Sequence, residues 1–152
     1  MESARKFLEV EIAAVDRLVF RGTCTKCVAP AAHGEVCILP RHAPFLSRLR
    51  PGEVRIRTET GEDQFFYLSG GYLEVKDSTV TVLADAMQRS DEIDRAAAME
   101  ARQRAEEVLR SSHLFSERDD AKLMLVKALA QLRVLEHAEL HRLQHRGNQA
   151  PS

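Results

Sequence analysis

After "MQRSDEID" (Met87–Asp94) neither glycine nor proline occurs until Gly147, and Ala, Glu, Arg, Gln and Leu take over. Glycine and proline disfavour helix interiors while the residues that replace them favour helix, so the downstream third of the chain is predicted helical. Upstream, from Phe7 to about Ala84, short alternating runs are separated by turn residues. "GEVRIRTE" puts Val54 and Ile56 on one face and Glu53, Arg55 and Arg57 on the other, the period of a half-buried strand. "QFFYLS", "GYLEVK" and "TVTVLAD" read as further strands, with "ETGED", "GG" and "KDS" as the turns between them. Strands so close in sequence predict a small antiparallel sandwich or barrel. The seam therefore divides the chain into an all-β part over residues 1–88, a helical part over 89–146 and a flexible tail over 147–152.

The helical part reads as two helices. Ser90 or Asp91 is placed to cap the first, and Asp91, Glu92 and Asp94 suit its positive end. "SSHLFS" interrupts the pattern, and Ser116 followed by Asp119 resembles a capping box, so a second helix is expected from about Glu117 to Arg146. Ala98, Ala101, Ala105 and Val108 step along the first helix by threes and fours, as Ala121, Leu125, Ala128, Leu132 and Leu135 do along the second. These stripes predict an antiparallel hairpin. Its alanines bury little area at roughly 25 cal/mol per Å², so the hairpin is expected to move or to dock elsewhere.

Composition narrows the function classes. The 152 residues are 44% hydrophobic and 30% charged with a net charge of -1, a soluble globular profile with no global field to attract nucleic acid or anionic lipid. No apolar run reaches the eighteen or so residues of a membrane span, and "MESARKFLEVEIAAV" lacks the apolar block of a signal peptide. The expectation is a cytosolic protein. In that compartment three cysteines argue for free thiols, metal ligands or catalysis rather than disulfides.

All three lie in "GTCTKCVAPAAHGEVCILPRH", with Cys24 and Cys27 spaced as Cys-x-x-Cys. A zinc site needs two such sulfurs within about 4 Å of one another. Read as one strand, however, "GTCTKCV" sends residues three apart to opposite faces, about 10 Å apart at roughly 3.3 Å per residue. The reading favoured here is that Cys24, Cys27 and Cys37 serve as small hydrophobes, with a metal- or thiol-dependent site built on them and nearby histidines as the alternative. His33 and His42 read as surface or interface residues. "HAELHRLQH" sets His137, His141 and His145 four apart on one helical face, but its glutamate is one position late for a zinc-protease base. With Lys122, Lys127, Arg133, Arg142 and Arg146 against Glu136 and Glu139, these histidines make the second helix basic. That face is either solvated or made to dock on an acidic partner. "LSGGYLEV" lacks the lysine of a phosphate loop and opens no helix.

Taken in order, "GEVCILPRHAPFLSRLRPGEVRI", "FFYLSGGYLEV", "VTVLAD", "AMEARQRAEEVLRSSH" and "KALAQLRVLE" resemble the epsilon subunit of the bacterial F-type ATP synthase, colinearly from about Val10 to Leu140. The resemblance implies a sandwich of about ten strands followed by an antiparallel two-helix hairpin. It also implies a non-catalytic subunit of the central stalk on the cytoplasmic face of the bacterial inner membrane, peripheral to it. Its partners would be the gamma subunit, the rotor ring and, with the hairpin extended, the catalytic alpha/beta head of a proton-translocating synthase. The sandwich would couple rotation to ATP synthesis and the hairpin would inhibit ATP hydrolysis, its basic helix residues Lys122, Lys127, Arg133 and Arg142 serving that regulation.

Carried over residue by residue, Glu35 and His42 match the family pattern Gly-Glu-x-Gly-Ile-x-Pro-Gly-His, and with Arg41, Ala43 and Pro44 they form the expected subunit interface. Cys37 and Arg41 stand where the pattern has glycine; if a positive φ is needed there, the replacements cost stability. Some relatives bind ATP through Ile/Leu-Asp-x-x-Arg-Ala. Here Ile93 and Asp94 are present but Ala97 replaces the arginine, so a charge-assisted contact of roughly 1.5–3 kcal/mol is missing. Weak or absent ATP binding and no cofactor are expected, which also disfavours a free-standing nucleotide sensor.

Overall fold

The computed structural model describes residues 6–148. Ten strands come first: β1 (Leu8–Ala14), β2 (Leu18–Cys24), β3 (Lys26–Ala31), β4 (Gly34–Ile38), β5 (Phe45–Leu49), β6 (Gly52–Arg57), β7 (Asp63–Leu68), β8 (Gly71–Lys76), β9 (Thr79–Ala84) and β10 (Met87–Arg89). A single 3-10 turn (Ser90–Glu92) leads to α1 (Arg95–Ser111) and α2 (Phe115–Gly147). The tail expected at 147–152 lies, from residue 149 onward, outside the described residues.

The strands run in the order β10-β7-β6-β3-β5-β8-β9-β1-β2, with β4 also paired to β3. Among the described residues only β1 and β9 pair in parallel. Ala31 opposite Leu49 is the one register pair between β3 and β5, so the sheet folds there into two facing layers. Between them lie Leu8, Val10, Ile12, Val54, Ile56, Phe66, Leu68, Leu73, Val75, Val80 and Val82. The alternation in "GEVRIRTE" holds: Val54 and Ile56 are buried while Glu53, Arg55 and Arg57 take the outer face. "QFFYL" does not alternate, because β7 is covered on both sides: Phe66 and Leu68 face the sandwich core, and Phe65 and Tyr67 face the helices. Gly71 is required by a close approach, since a Cβ there would meet the Leu83 carbonyl oxygen at 2.1 Å.

The hairpin forms on the expected stripes, with Ala98 and Ala105 of α1 buried with Ala121 and Ala128 of α2. Its ends differ from the sequence reading. Ser90 and Asp91 lie in the 3-10 turn, and the residue capping α1 is Asp94, whose Oδ1 accepts from the Ala97 amide at 3.1 Å. The second helix starts two residues early, at Phe115, with Leu114 in the N-cap position and no side-chain cap, so no Ser116–Asp119 box forms. Instead, the Arg118 guanidinium donates to the carbonyls of Leu109 and Ser112 and ties the two helix ends together.

At 1.5 Å per residue, α2 with its 33 residues is about 25 Å longer than α1 with 17. The overhang lies on the sandwich. There Val134 and Ala138 of α2 join Phe65, Tyr67 and Ile93 in a second small core. At 100° per residue this contact face is centred roughly 130° from the stripe that meets α1, so α2 buries two separate faces.

Candidate functional site

The loop between β4 and β5 carries four of the five expected interface residues. Leu39 to His42 form a tight turn in which the His42 amide donates to the Leu39 carbonyl at 3.0 Å. Pro40 supplies the fixed φ such a turn needs at its second position, and Arg41 at the third has φ +69°. The left-handed conformation expected for a glycine is therefore present at Arg41. Cys37 has no such need, because it lies in regular strand β4 opposite Val28. The Arg41 amide donates to Ser78 Oγ at 3.0 Å, anchoring the loop to the β8–β9 turn, where Asp77 and Ser78 also have positive φ. His42 packs edge-on to Phe45, while Ala43 and Pro44 are exposed. Glu35 stands apart from this group, three strand residues or about 10 Å from the end of β4, beside Pro30 of β3.

Beyond the loop lies an outward face with apolar side chains that the sequence reading missed. A cleft of about 370 Å³ is lined by Pro44, Phe45, Leu46 and Glu74 among others. Its Leu46 and Glu74 belong to the outer face of the layer built from β5, β8, β9, β1 and β2, in a row with Thr81 and Glu11. Across that face the register aligns Arg48, Tyr72, Leu83, Ala13 and Leu18 in one row. Leu46, Tyr72, Leu83 and Leu18 are each at least half exposed, at 72%, 50%, 57% and 53%. Apolar side chains at the outward phase of a strand cost nothing to fold but leave a patch of the kind used for docking. The signal was present in "GYLEVK" and "TVTVLAD", where Tyr72 and Leu83 occupy the phase otherwise held by Glu74 and Thr81.

The hairpin contacts the opposite layer. His137 Nδ1 donates to Glu53 Oε2 at 2.8 Å, the Asp63 amide donates to His141 Nε2 at 3.1 Å, and Gln131 donates to Gln88 at 2.8 Å. The Phe65 ring lies against both imidazoles. His137 and His141 are thus turned toward the sandwich and half-buried, while His145 is exposed. Nor do the four cations share one face. Lys122 and Arg133 are exposed on one side, Lys127 lines a cleft of about 590 Å³ with Arg48, Arg50 and Asp85, and Arg142 borders the cleft beside His141.

The cysteines depart from the strand argument. The chain bends at Thr25, so Cys24 and Cys27 belong to different strands and both enter the sandwich core rather than opposite faces. Burial pushes the Cys24 thiol up to about 11 and the Cys27 thiol up to about 12, which keeps both protonated and poor as ligands or nucleophiles. Cys37 is exposed, not buried, because Val36 and Ile38 take the inward phase of β4. Among the described residues no group of three or more His, Cys, Asp or Glu is arranged to hold a metal ion. In the "IDRAAA" segment Ile93 is buried in the small core, the Asp94 carboxylate caps α1, Ala97 is exposed and Arg95 pairs with Glu139 at 3.0 Å.

A β-sandwich with exposed apolar side chains on one layer and a helical hairpin folded on the other presents surfaces suited to contact with other proteins. Residues 7–90 match the family model for the ATP synthase delta/epsilon chain β-sandwich domain, and residues 91–136 match that for its long α-helix domain. The chain belongs to the ATP synthase delta/epsilon chain family, and by family it is a non-catalytic subunit. The ATP synthase epsilon chain of Halorhodospira halophila is 49% identical over 130 residues, covering 85% of this chain and 92% of the relative. The fold is similar to a chain in the Euglena gracilis mitochondrial ATP synthase (OSCP/F1/c-ring), with TM-score 0.78, 19% identity and coverage of 92% of this chain and 85% of that one. It is also similar to one in the Tetrahymena thermophila mitochondrial ATP synthase central stalk and c-ring, with TM-score 0.56, 16% identity and coverage of 88% and 99%.

Proposed function

We propose that this chain couples rotation to ATP synthesis as the epsilon subunit of the central stalk of a proton-translocating F-type ATP synthase, on the cytoplasmic face of the bacterial inner membrane. Residues 1–88 bind the gamma subunit and the rotor ring, with Arg41, His42, Ala43 and Pro44 at the contact, and residues 89–146 regulate. The observation that carries this reading is the outward row of exposed apolar side chains Tyr72, Leu83 and Leu18, which runs from beside Lys127 of α2 across the layer opposite the hairpin's main contact. No helix among the described residues is long and apolar enough to cross a membrane. A charge at the centre of that row desolvates badly on docking: Leu83→Arg should abolish copurification with gamma while leaving the unfolding midpoint of the isolated chain within about 0.5 kcal/mol of the parent. Retained copurification would remove the sheet face from the interface.

The hairpin reading rests on its unused apolar surface. Leu114 and Phe115 at the tip are 61% and 82% exposed, and Leu123, Met124 and Val126 also face solvent. In this reading the hairpin leaves the sandwich, extends toward the catalytic head and blocks ATP hydrolysis. Truncation after Gln88 should then raise hydrolysis by the assembled complex; an unchanged rate would reject inhibition and leave coupling intact. ATP binding is weak or absent, since the only acidic residue of the motif is engaged as a helix cap; a micromolar dissociation constant by calorimetry would overturn this.

A further inference from the structure

Two histidines one helical turn apart meet the sandwich in opposite protonation senses. His137 donates from Nδ1 to Glu53 Oε2 at 2.8 Å, and a proton gained by this imidazole turns the hydrogen bond into an ion pair. His141 does the reverse. Its Nε2 accepts the Asp63 amide proton at 3.1 Å, and an imidazolium has no lone pair to accept with, so protonation sets donor against donor.

We propose that His137 and His141 form a two-way pH latch that holds the hairpin on the sandwich most firmly at intermediate pH and loosens it on either side. Above that window Glu53 loses the positive charge of His137 and keeps Arg55 as its favourable neighbour against the like charge of Glu35. Below it, His141 loses its acceptor role. The Asp63 carboxylate cannot turn to accept a hydrogen bond from it, because Arg57 holds both oxygens at 2.8 and 3.2 Å, although its charge attracts the imidazolium through space and offsets part of that loss. Arg89 and Arg142, in the same cleft, repel the imidazolium, as does His145, whose ring centroid is 4.3 Å away; Asp91 in that cleft offsets part of this. Burial first, and Glu35 in lesser degree, also hold the Glu53 carboxyl above the usual carboxylate range against the pull of His137, so the ion pair itself is lost early on acidification.

The latch deepens the regulatory reading of the hairpin and rests on it for its biological consequence, but the docking equilibrium is measurable in the full-length chain alone. Spin labels on the exposed Cys37 and on Leu143→Cys report hairpin-to-sandwich distance, since the protonated thiols of Cys24 and Cys27 stay unlabelled. The docked-to-undocked ratio should peak at an intermediate pH between about 5 and about 8.5 and fall about threefold toward either end, the size of a partly screened pair. His141→Gln keeps an acceptor for the Asp63 amide at every pH and should remove the fall attributable to that site, leaving the acid decline only where Glu53 protonates. His137→Gln and Glu53→Gln should each remove the alkaline decline. A flat parent profile, or single variants that keep the parent shape, would overturn the latch. If truncation leaves hydrolysis unchanged while the peaked profile holds, inhibition fails and the latch stands; a flat profile with raised hydrolysis after truncation sinks the latch alone.

Discussion

Arg41 illustrates how much a single residue can carry. Its φ of +69° costs a non-glycine residue roughly 1–2 kcal/mol, and glycine would return roughly 0.5–1 kcal/mol of that as lost unfolded-state order. Arg41→Gly should therefore raise stability by about 0.5 kcal/mol in urea unfolding. A loss instead would mean that the guanidinium makes contacts worth more than the strain. The positive φ was legible from Pro40-Arg41 standing in a glycine-bearing pattern; the regular backbone at Cys37 was not, since only the pairing with Val28 sets it. Asp63 gives a pH signature of the opposite kind to Glu53. Burial opposes its ionisation, but the two-pronged Arg57 contact wins and holds its carboxyl below the usual range. A depressed carboxylate contributes stability above its unfolded value, near pH 4, which is lost as pH falls through the lower folded value. Asp63→Asn should thus cost at most about 1 kcal/mol at pH 7, because the half-exposed Arg57 is screened by solvent, and progressively less as pH falls through the lowered folded value. A cost that does not change with pH would assign the loss to packing.

At the scale of elements, α2 is the informative case. Its stripe against α1 was readable because Ala121, Leu125, Ala128, Leu132 and Leu135 repeat by threes and fours. Its second face was hidden, since it is built from Val134, Ala138 and two histidines, a mixture that periodicity scores as polar. Val134 is fully buried against Phe65 and Tyr67, so Val134→Ala should destabilise docking by about 1–2 kcal/mol, two methylenes at about 0.8 kcal/mol each. Helix protection by hydrogen exchange should fall in the overhang of α2 while the strands of the sandwich core keep theirs. Loss of protection throughout would mean that hairpin and sandwich unfold as one unit. The capping of α1 shows the same limit of local reading. Ser90, Asp91 and Asp94 are all acceptable caps by type, and Asp94 is selected because Ile93 is drawn into the small core and fixes where the helix begins.

For the whole molecule, the order of motifs carried family, fold class and the seam between strand and helix, because alternation of period two and helix-forming composition are local properties of the chain. The sandwich core followed from the same alternation. What only the tertiary structure decided is which faces are covered and which are left open. Cys24 and Cys27 share one core because the chain bends at Thr25, where strand propensity alone runs straight on. The row from Arg48 to Leu18 exists because the register of five strands brings residues far apart in sequence to one line. His137 and His141 face the sandwich because α2 outruns α1 and its overhang must rest on something apolar, the Phe65 and Tyr67 pair. Local periodicity sets which element forms; burial, a sum over residues distant in the chain, sets what that element touches.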